Sequence, residues 1–252
     1  ANAVKNFVCF GSDADSCPYD NLYRIIGVID GKVKLIKYDY ANSNLLGTDG
    51  SYSSLVFQKK DYQTYNGNHE TINIYRWNTA TKTNTWSESN LNKINLNTNF
   101  INNIGEKWAS KIAETTWKVG GNTRENIYTV IPSVAYQNEI VNPVTTYTTD
   151  EKTEYKAKIG LMYVSDYGFA ADPSAWTTTL FDYDKVIGTN WMYMGLPDWT
   201  ITRQAGGTNV AFMLYDIGGV SDDTVDSISY VVRPSFSLLS STTYVSGSGT
   251  AN

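Results

Sequence analysis

Apolar residues in this chain come mostly in short alternating pieces separated by Gly, Asn, Asp, Ser and Thr, a pattern of strands joined by loops. The clearest pair is LYRIIGVI at 22–29 and VKLIKY at 33–38. They flank Asp30-Gly31, a dipeptide favoured where both turn residues take positive φ, so a tight β-hairpin is expected. Residues 155–164 alternate as Tyr155, Ala157, Ile159, Leu161 and Tyr163, the period of a half-buried strand. A turn-rich SDYGFAADPSAW follows, with Asp166 placed to cap a short helix.

Helical spacing is confined to 86–114. Ser87 is expected to cap a first helix, with Trp86 packing on Leu91 inside it. A second helix is expected from Phe100, Ile104, Trp108 and Ile112 at four-residue spacing, with Ile101 and Ala109 widening the apolar face. Those aromatics read as core, not as a cofactor site. Residues 40–85 and 122–153 read as long polar loops, the first with short strands and the second with an apolar piece at 127–134; 177–189 reads as a further loop. His69 lies in the first loop beside Glu70, far in sequence from any activated nucleophile, and is expected at the surface.

The stretch 190–236 mixes large side chains, Met213, Leu214, Tyr215 and Ile217, with a polar run of Asp222, Asp223, Thr224, Asp226 and Ser229. Large anchors supply contact area while short polar groups supply adaptable hydrogen bonds, which suits a recognition surface. The plainer alternative is a strand with a polar hairpin loop. The expected face consists of Pro197, Asp198, Gln204, Met213, Tyr215, Ile217, Asp222, Asp223, Asp226 and Ile228. Beyond it, 240–252 is rich in Ser, Thr and Gly and is expected to fray.

Composition sharpens this picture. The 252 residues suffice for a full core, and one domain is expected, with 1–21 as an N-terminal extension, 190–236 as the binding segment and 240–252 as a tail. Aromatic residues make up 13% and charged residues only 18%, a balance of a loop-rich β-containing binding protein rather than a helical enzyme. A formal charge of −5 with scattered Lys and Arg excludes a basic nucleic-acid face. No apolar run reaches the ~18 residues of a membrane span, so attachment to a membrane or pilus is expected only through a segment preceding Ala1. The two cysteines, Cys9 and Cys17 in VCFGSDADSCP, sit across a flexible turn. A disulfide and an exported protein are expected, the alternative being two free thiols. With one histidine, the chain lacks the ligands for a structural zinc site.

Taken in order, NLYRIIGVIDGKVKLIKYDY, WSESNLNKINLNTNF, KIGLMYVSDYG, NWMYMGLPDWTITR and VVRPSFSL resemble the C-type-lectin-fold proteins related to the formylglycine-generating enzyme, in particular exported versions from gut Firmicutes. The resemblance spans most of 22–238. It implies an α+β, C-type-lectin-like fold: twisted antiparallel strands, two helices, extensive loops and a binding face near the C-terminus. It places a helix-opening W-x-x-S-x-L at Trp86, Ser89 and Leu91, and a W-x-x-x-R strand, Trp199 to Arg203, near a closing V-R-P strand, Val232 to Pro234. It makes Arg233 a structural, paired arginine. Some members are variable proteins of diversity-generating retroelements, in which asparagine codons of a C-terminal segment are rewritten. The chain is Asn-rich up to Asn142 and has no Asn over 210–251, although 143–189 is equally free of it.

The resemblance therefore implies a monomeric, non-catalytic, adhesin-like display domain at the cell surface, with a protein or glycan ligand on another cell or a phage. Formylglycine generation needs late cysteines, and none follows Cys17. Glycoside hydrolysis by Asp222, Asp223 and Asp226 is the weaker enzymatic alternative, since adjacent loop acids are usually solvated. A calcium-dependent glycan-binding lectin is a further alternative: its E-P-N, Q-P-D and W-N-D motifs are absent, but the same three aspartates are the candidates for a calcium site, with no other cofactor expected. A pilus or wall subunit, packing this face on another copy, is the remaining alternative.

Overall fold

The computed structural model describes residues 4–144, 153–245 and 247–251. Strand β1 (Phe7–Cys9) pairs antiparallel with β2 (Leu22–Ile29), and β2 with β3 (Lys32–Lys37). Asp30 and Gly31 turn the chain between β2 and β3 with φ of 50° and 71°, the doubly left-handed turn that matches the twist of the flanking strands. Cys9 and Cys17 form a disulfide with their Cα atoms 5.7 Å apart. The segment before β2 is therefore an edge strand with a closed loop, not an appendage. Closing a loop of this length restricts the unfolded chain by about 2.5 kcal/mol in the chain-entropy account. A Cys9→Ser, Cys17→Ser variant is expected to lose about that much in urea unfolding, and equal midpoints would contradict it.

Residues 40–85 contain short strands, as expected of them. Strands β4 (Tyr52–Gln58) and β5 (Thr71–Tyr75) form an antiparallel pair, packing Ile72 and Ile74 against Tyr40 and Leu196. A 3₁₀ turn, Trp86–Glu88, then leads into a helix over 91–103, π-type at first and α-type at its end. Ser89, not Ser87, serves its start: the Asn92 N–H donates to Ser89 Oγ, which itself donates to the Trp77 carbonyl. The expected second helix does not form as one piece. Gly105, at φ 82°, breaks it, so Trp108 sits on a separate turn, Glu106–Ala109, and Ile112 bridges to Leu238.

Asparagines along the 91–103 helix act as substitutes for missing backbone pairing. Asn95 donates to the Leu46 and Asp49 carbonyls and accepts from the Ser51 N–H. Asn97 both donates to the Ile159 carbonyl and accepts from the Ile159 N–H, while Asn99 and Asn103 reach the carbonyls of Leu46 and Leu45. A side-chain amide offers a donor and an acceptor like a peptide unit, so these residues satisfy irregular backbone that no strand reaches.

Strands β6 (Thr115–Lys118) and β8 (Glu154–Ala157) pair antiparallel, with β7 (Gly121–Asn122) between them in sequence and β9 (Ile159–Gly160) following β8. The expected strand at 155–164 is thus split at Lys158. Helix Pro132–Tyr136, continued by Gln137–Val141, replaces much of the expected loop at 122–153, whose residues 145–152 lie outside the described residues. It packs on helix Val164–Phe169, where the Asp166 carboxylate accepts from the Tyr163 N–H and pairs with Lys34 at 2.6 Å. Residues 180–189, also expected as loop, are 3₁₀-helical with a kink at Asp182.

Four late strands complete the fold: β10 (Asp198–Gln204), β11 (Val210–Leu214), β12 (Val220–Thr224) and β13 (Ser235–Ser237). They build a four-stranded sheet in the order β12-β11-β10-β7, parallel only at its last pair, and an antiparallel five-stranded sheet β1-β2-β3-β13-β9. The architecture is α+β with several antiparallel sheets and short helices. Every residue of β10 is buried. Trp199 donates its indole N–H to the Tyr75 carbonyl and Trp77 donates to the Thr200 carbonyl, so the two rings lock β10 to the segment after β4 and β5. Past β13, apart from the Leu238 bridge, the described residues up to 251 form no further helix or strand, although the Gly249 carbonyl accepts from the Phe7 N–H; residues 246 and 252 of the expected tail lie outside the described residues. Among the described residues no helix is long and apolar enough to cross a membrane.

Candidate functional site

Strand β11 alternates as a strand must, but both of its faces are covered. Ala211 and Met213 enter one hydrophobic cluster with Trp199 and Tyr230, while Phe212 and Leu214 enter a second with Tyr167 and Tyr183. Met213, expected on the binding face, is for that reason core. Asp198 is also buried, pairing with Arg233 at 2.5 Å (Nε to Oδ2), and Gln204 is buried with its amide donating to Asp222 Oδ2. These three residues leave the expected face. Pro197 is half-buried beside them.

The remaining members separate into two places. Tyr215 and Ile217, 39% and 53% exposed, lie on the turn between β11 and β12. That turn is fastened by Tyr193 and Thr64, whose hydroxyls donate to the Asp216 carbonyl, and by Tyr167, which donates to the Gly218 carbonyl. Ile228 and Asp226 follow the far end of β12, about 14 Å away along the hairpin by strand rise. The sequence gives no sign of this separation, because the strands between the two ends are short and their side chains large.

The far end forms an open groove of about 420 Å³. One wall is Thr224, Asp226, Ser227 and Ile228; the other is Arg76, Thr79 and Lys82, from the segment after β5. Both walls rest on buried anchors. Asn78, wholly buried, donates to Thr81 Oγ1 and the Thr83 carbonyl and accepts from the Ala80 N–H, which shapes the 78–83 turn. Its own N–H donates to the carbonyl of Val225, a core residue, and so joins the walls. Lys82 takes φ 56°, a left-handed conformation that non-glycine residues adopt at a cost. Its ammonium lies 3.1 Å from Asp226 and holds that carboxyl below the usual carboxylate range. The lining thus combines two cations, one anion, three hydroxyls and one apolar side chain. Of the expected face only Asp226 and Ile228 contribute; Arg76, Thr79 and Lys82 carried no signal in the sequence beyond being polar.

The three aspartates considered for calcium do not converge. Asp222 and Asp223 are neighbours on a strand and point to opposite sides of it. Asp222 accepts from Gln204 and lies 3.7 Å from the Arg124 guanidinium, Asp223 accepts from the Tyr230 hydroxyl and the Thr224 N–H, and Asp226 meets Lys82. Among the described residues no group of three His, Cys, Asp or Glu is placed to hold a metal ion.

His69 is half-buried instead of exposed. Its Nε2 lies 2.8 Å from Asp20 and 3.9 Å from Asp39, a buried carboxylate that also accepts from the Tyr65 hydroxyl. The Asp20 hydrogen bond pushes the imidazole pKa up, against burial, and the contact fastens the loop before β5 to the turn before β2. Glu139 is enclosed completely, accepting from the Thr202 hydroxyl at 2.6 Å and the Ser165 N–H at 3.1 Å. No protein-family model, curated protein or solved structure matches the chain.

Proposed function

We propose that this chain is a non-catalytic, exported ligand-binding domain of C-type-lectin-like fold that holds a polar protein or glycan ligand in the groove between Arg76, Lys82 and Ile228. The observation that carries this reading is the groove itself, an opening of about 420 Å³ whose hydroxyls, charges and single apolar side chain stand on two walls joined through the core. Small-ligand sites share the concavity and the convergent polar groups but are mostly apolar, so a lining with a single apolar side chain suits a polar ligand. The groove's one carboxylate, Asp226, is held by Lys82 below the usual range, which makes it a weak general base. The fold assignment is supported by the bridge between Asp198 and Val231, which sets the Trp199 to Arg203 strand beside the segment that leads into the closing strand. The disulfide suits an oxidising, extracellular location. Variable display is supported by Ile228, Tyr215 and Ile217, exposed positions whose replacement leaves the core untouched.

Screening immobilised glycans and cell-surface proteins supplies a ligand for titration calorimetry. An Arg76→Ala, Ile228→Ala variant is expected to bind that ligand about tenfold or more weakly, the loss that follows from removing a charged hydrogen bond. Its melting temperature is expected to stay within about 2–4 °C of wild type, as for surface substitutions. Undiminished affinity in this variant, with loss in Tyr215→Ala, Ile217→Ala, would move the site to the other end of the hairpin.

A second reading, a structural subunit that packs on another copy, is favoured by an exposed aromatic cluster. Phe169 contacts Trp176 at 5.1 Å and Tyr136 at 6.4 Å between ring centroids, and all three rings reach solvent. Sedimentation at rising concentration separates the readings, since a free display domain stays monomeric.

A further inference from the structure

The irregular segment between the 3₁₀ turn Lys59–Asp61 and β5 contains a dipeptide that occurs once in the chain, Asn66-Gly67. An asparagine carboxamide is open to attack by the peptide nitrogen of the next residue, and a side chain on that residue hinders the approach. At every other asparagine that has a successor, the successor carries such a side chain; Gly67 carries none.

The fold also engages the amides of many other asparagines. Asn42, with the small Ser43 after it, caps the helix Ser43–Leu46 and accepts from the Asn44 N–H. Asn78, Asn95, Asn97 and Asn99 are tied to backbone carbonyls. Asn66 differs. It is exposed and belongs to no helix or strand, and among the described residues neither its carboxamide nor the Gly67 N–H has a hydrogen-bond partner. The nitrogen and the carboxamide carbon that close a five-membered ring are thus both unheld. Packing meanwhile keeps the glycine in place. A Cβ at position 67 would collide with the Tyr65 hydroxyl and a carboxylate oxygen of buried Asp39.

We propose that Asn66 is a site of spontaneous modification, deamidation through a cyclic imide, with water as the only co-reactant. The Gly67 nitrogen gives up its proton to solvent and bonds to Asn66 Cγ, while the Cγ–Nδ2 bond breaks and Nδ2 leaves as ammonia. Water then adds to one of the two carbonyl carbons of the ring and breaks its bond to the Gly67 nitrogen, which regains a proton. Opening at Cγ leaves aspartate; opening at the main-chain carbon leaves isoaspartate, with one more methylene in the backbone. Either product adds a negative charge. Both arise beside the Asn66 N–H bond to the Met194 carbonyl and the Thr64 bonds to the Gly195 and Asp216 carbonyls, contacts that fasten the turn of Tyr215 and Ile217. The reaction is independent of what the groove holds.

The test is incubation of the intact folded protein at pH 8 and 37 °C, followed by digestion with trypsin. The peptide 61–76 is expected to gain one mass unit and to split into two chromatographic forms, with fragment masses placing the change at residue 66. Conversion in the folded protein is expected to run within about tenfold of the rate in the free peptide 61–76, because no closed structure has to open first. Asn66→Gln, which keeps an amide at this exposed position but needs a larger ring, is expected to leave the peptide unconverted. An unchanged mass, conversion that starts only in urea, or equal conversion in Asn66→Gln overturns the proposal.

Discussion

Replacing Asp198 with alanine is expected to lower the free energy of unfolding by about 3–5 kcal/mol at pH 7.5, among the largest effects available to a single substitution in this protein. The reason is what the change leaves behind. Arg233 is buried, its Nε donates to Asp198 Oδ2 at 2.5 Å, and among the described residues no other carboxylate lies within ion-pair distance of it. Burial lifts the Asp198 carboxyl to about 6 even against the arginine, so at pH 7.5 the pair is charged. Asp198→Leu combined with Arg233→Met is expected to recover most of the loss, because a buried pair replaced by apolar groups of similar volume removes both desolvation penalties together. Urea unfolding of the single and double variants measures both quantities. A double variant as unstable as the single one would mean that packing, not charge, sets the cost.

The second large effect is a dependence on pH. Burial pushes the Glu139 carboxyl up to about 7, although hydrogen bonds from Ser165 and Thr202 pull the other way. In the unfolded chain the group ionises near the ordinary glutamate value, so between roughly pH 4.5 and 7 the unfolded chain is deprotonated and the folded one is not. The folded state binds more protons in that window. Its stability from this residue is complete below the unfolded pKa and is lost as pH rises through about 7, a change on the order of 3 kcal/mol. His69, raised by its Asp20 hydrogen bond, acts in the same sense, and Asp20, lowered by His69, acts oppositely. Glu139→Gln keeps an acceptor for Ser165 and cannot ionise. Unfolding free energies at pH 5 and pH 8 are expected to differ less in this variant than in wild type by on the order of 3 kcal/mol. Parallel pH profiles would show that Glu139 is ionised when folded.

What could be read in advance follows the range of the forces involved. The Asp30-Gly31 hairpin and the Cys9–Cys17 bridge depend on a few neighbouring residues, and both are present. The four-residue apolar rhythm from Phe100 to Ile112 was also real, since Phe100 and Ile112 are core, but the left-handed Gly105 inside it converts one helix into two. The strand β10 was misjudged because it carries Asp, Thr, Arg and Gln, which suit a surface when considered alone. Inside the fold the Asp, both Thr and the Gln find distant partners: Asp198 meets Arg233 thirty-five positions on, Thr200 donates to the Phe212 carbonyl, Thr202 donates to Glu139 sixty-three positions back, and Gln204 donates to Asp222. Local composition carries no record of such pairings. The groove was half legible for the same reason, with Asp226 and Ile228 in the stretch expected to bind and Arg76, Thr79 and Lys82 brought to it from a turn more than a hundred residues earlier.

The position of β13 sets a schedule on the ribosome. Ser235 to Ser237 insert between β3 and β9, so Leu35 and Ile159 wait for Phe236 before their sheet is whole. A nascent chain up to residue 234 therefore exposes two open strand edges, and unpaired edges invite association with other chains. That gap fits a neighbour's copy of the same strand, so exchange of β13 between copies is the expected route of misassembly during synthesis.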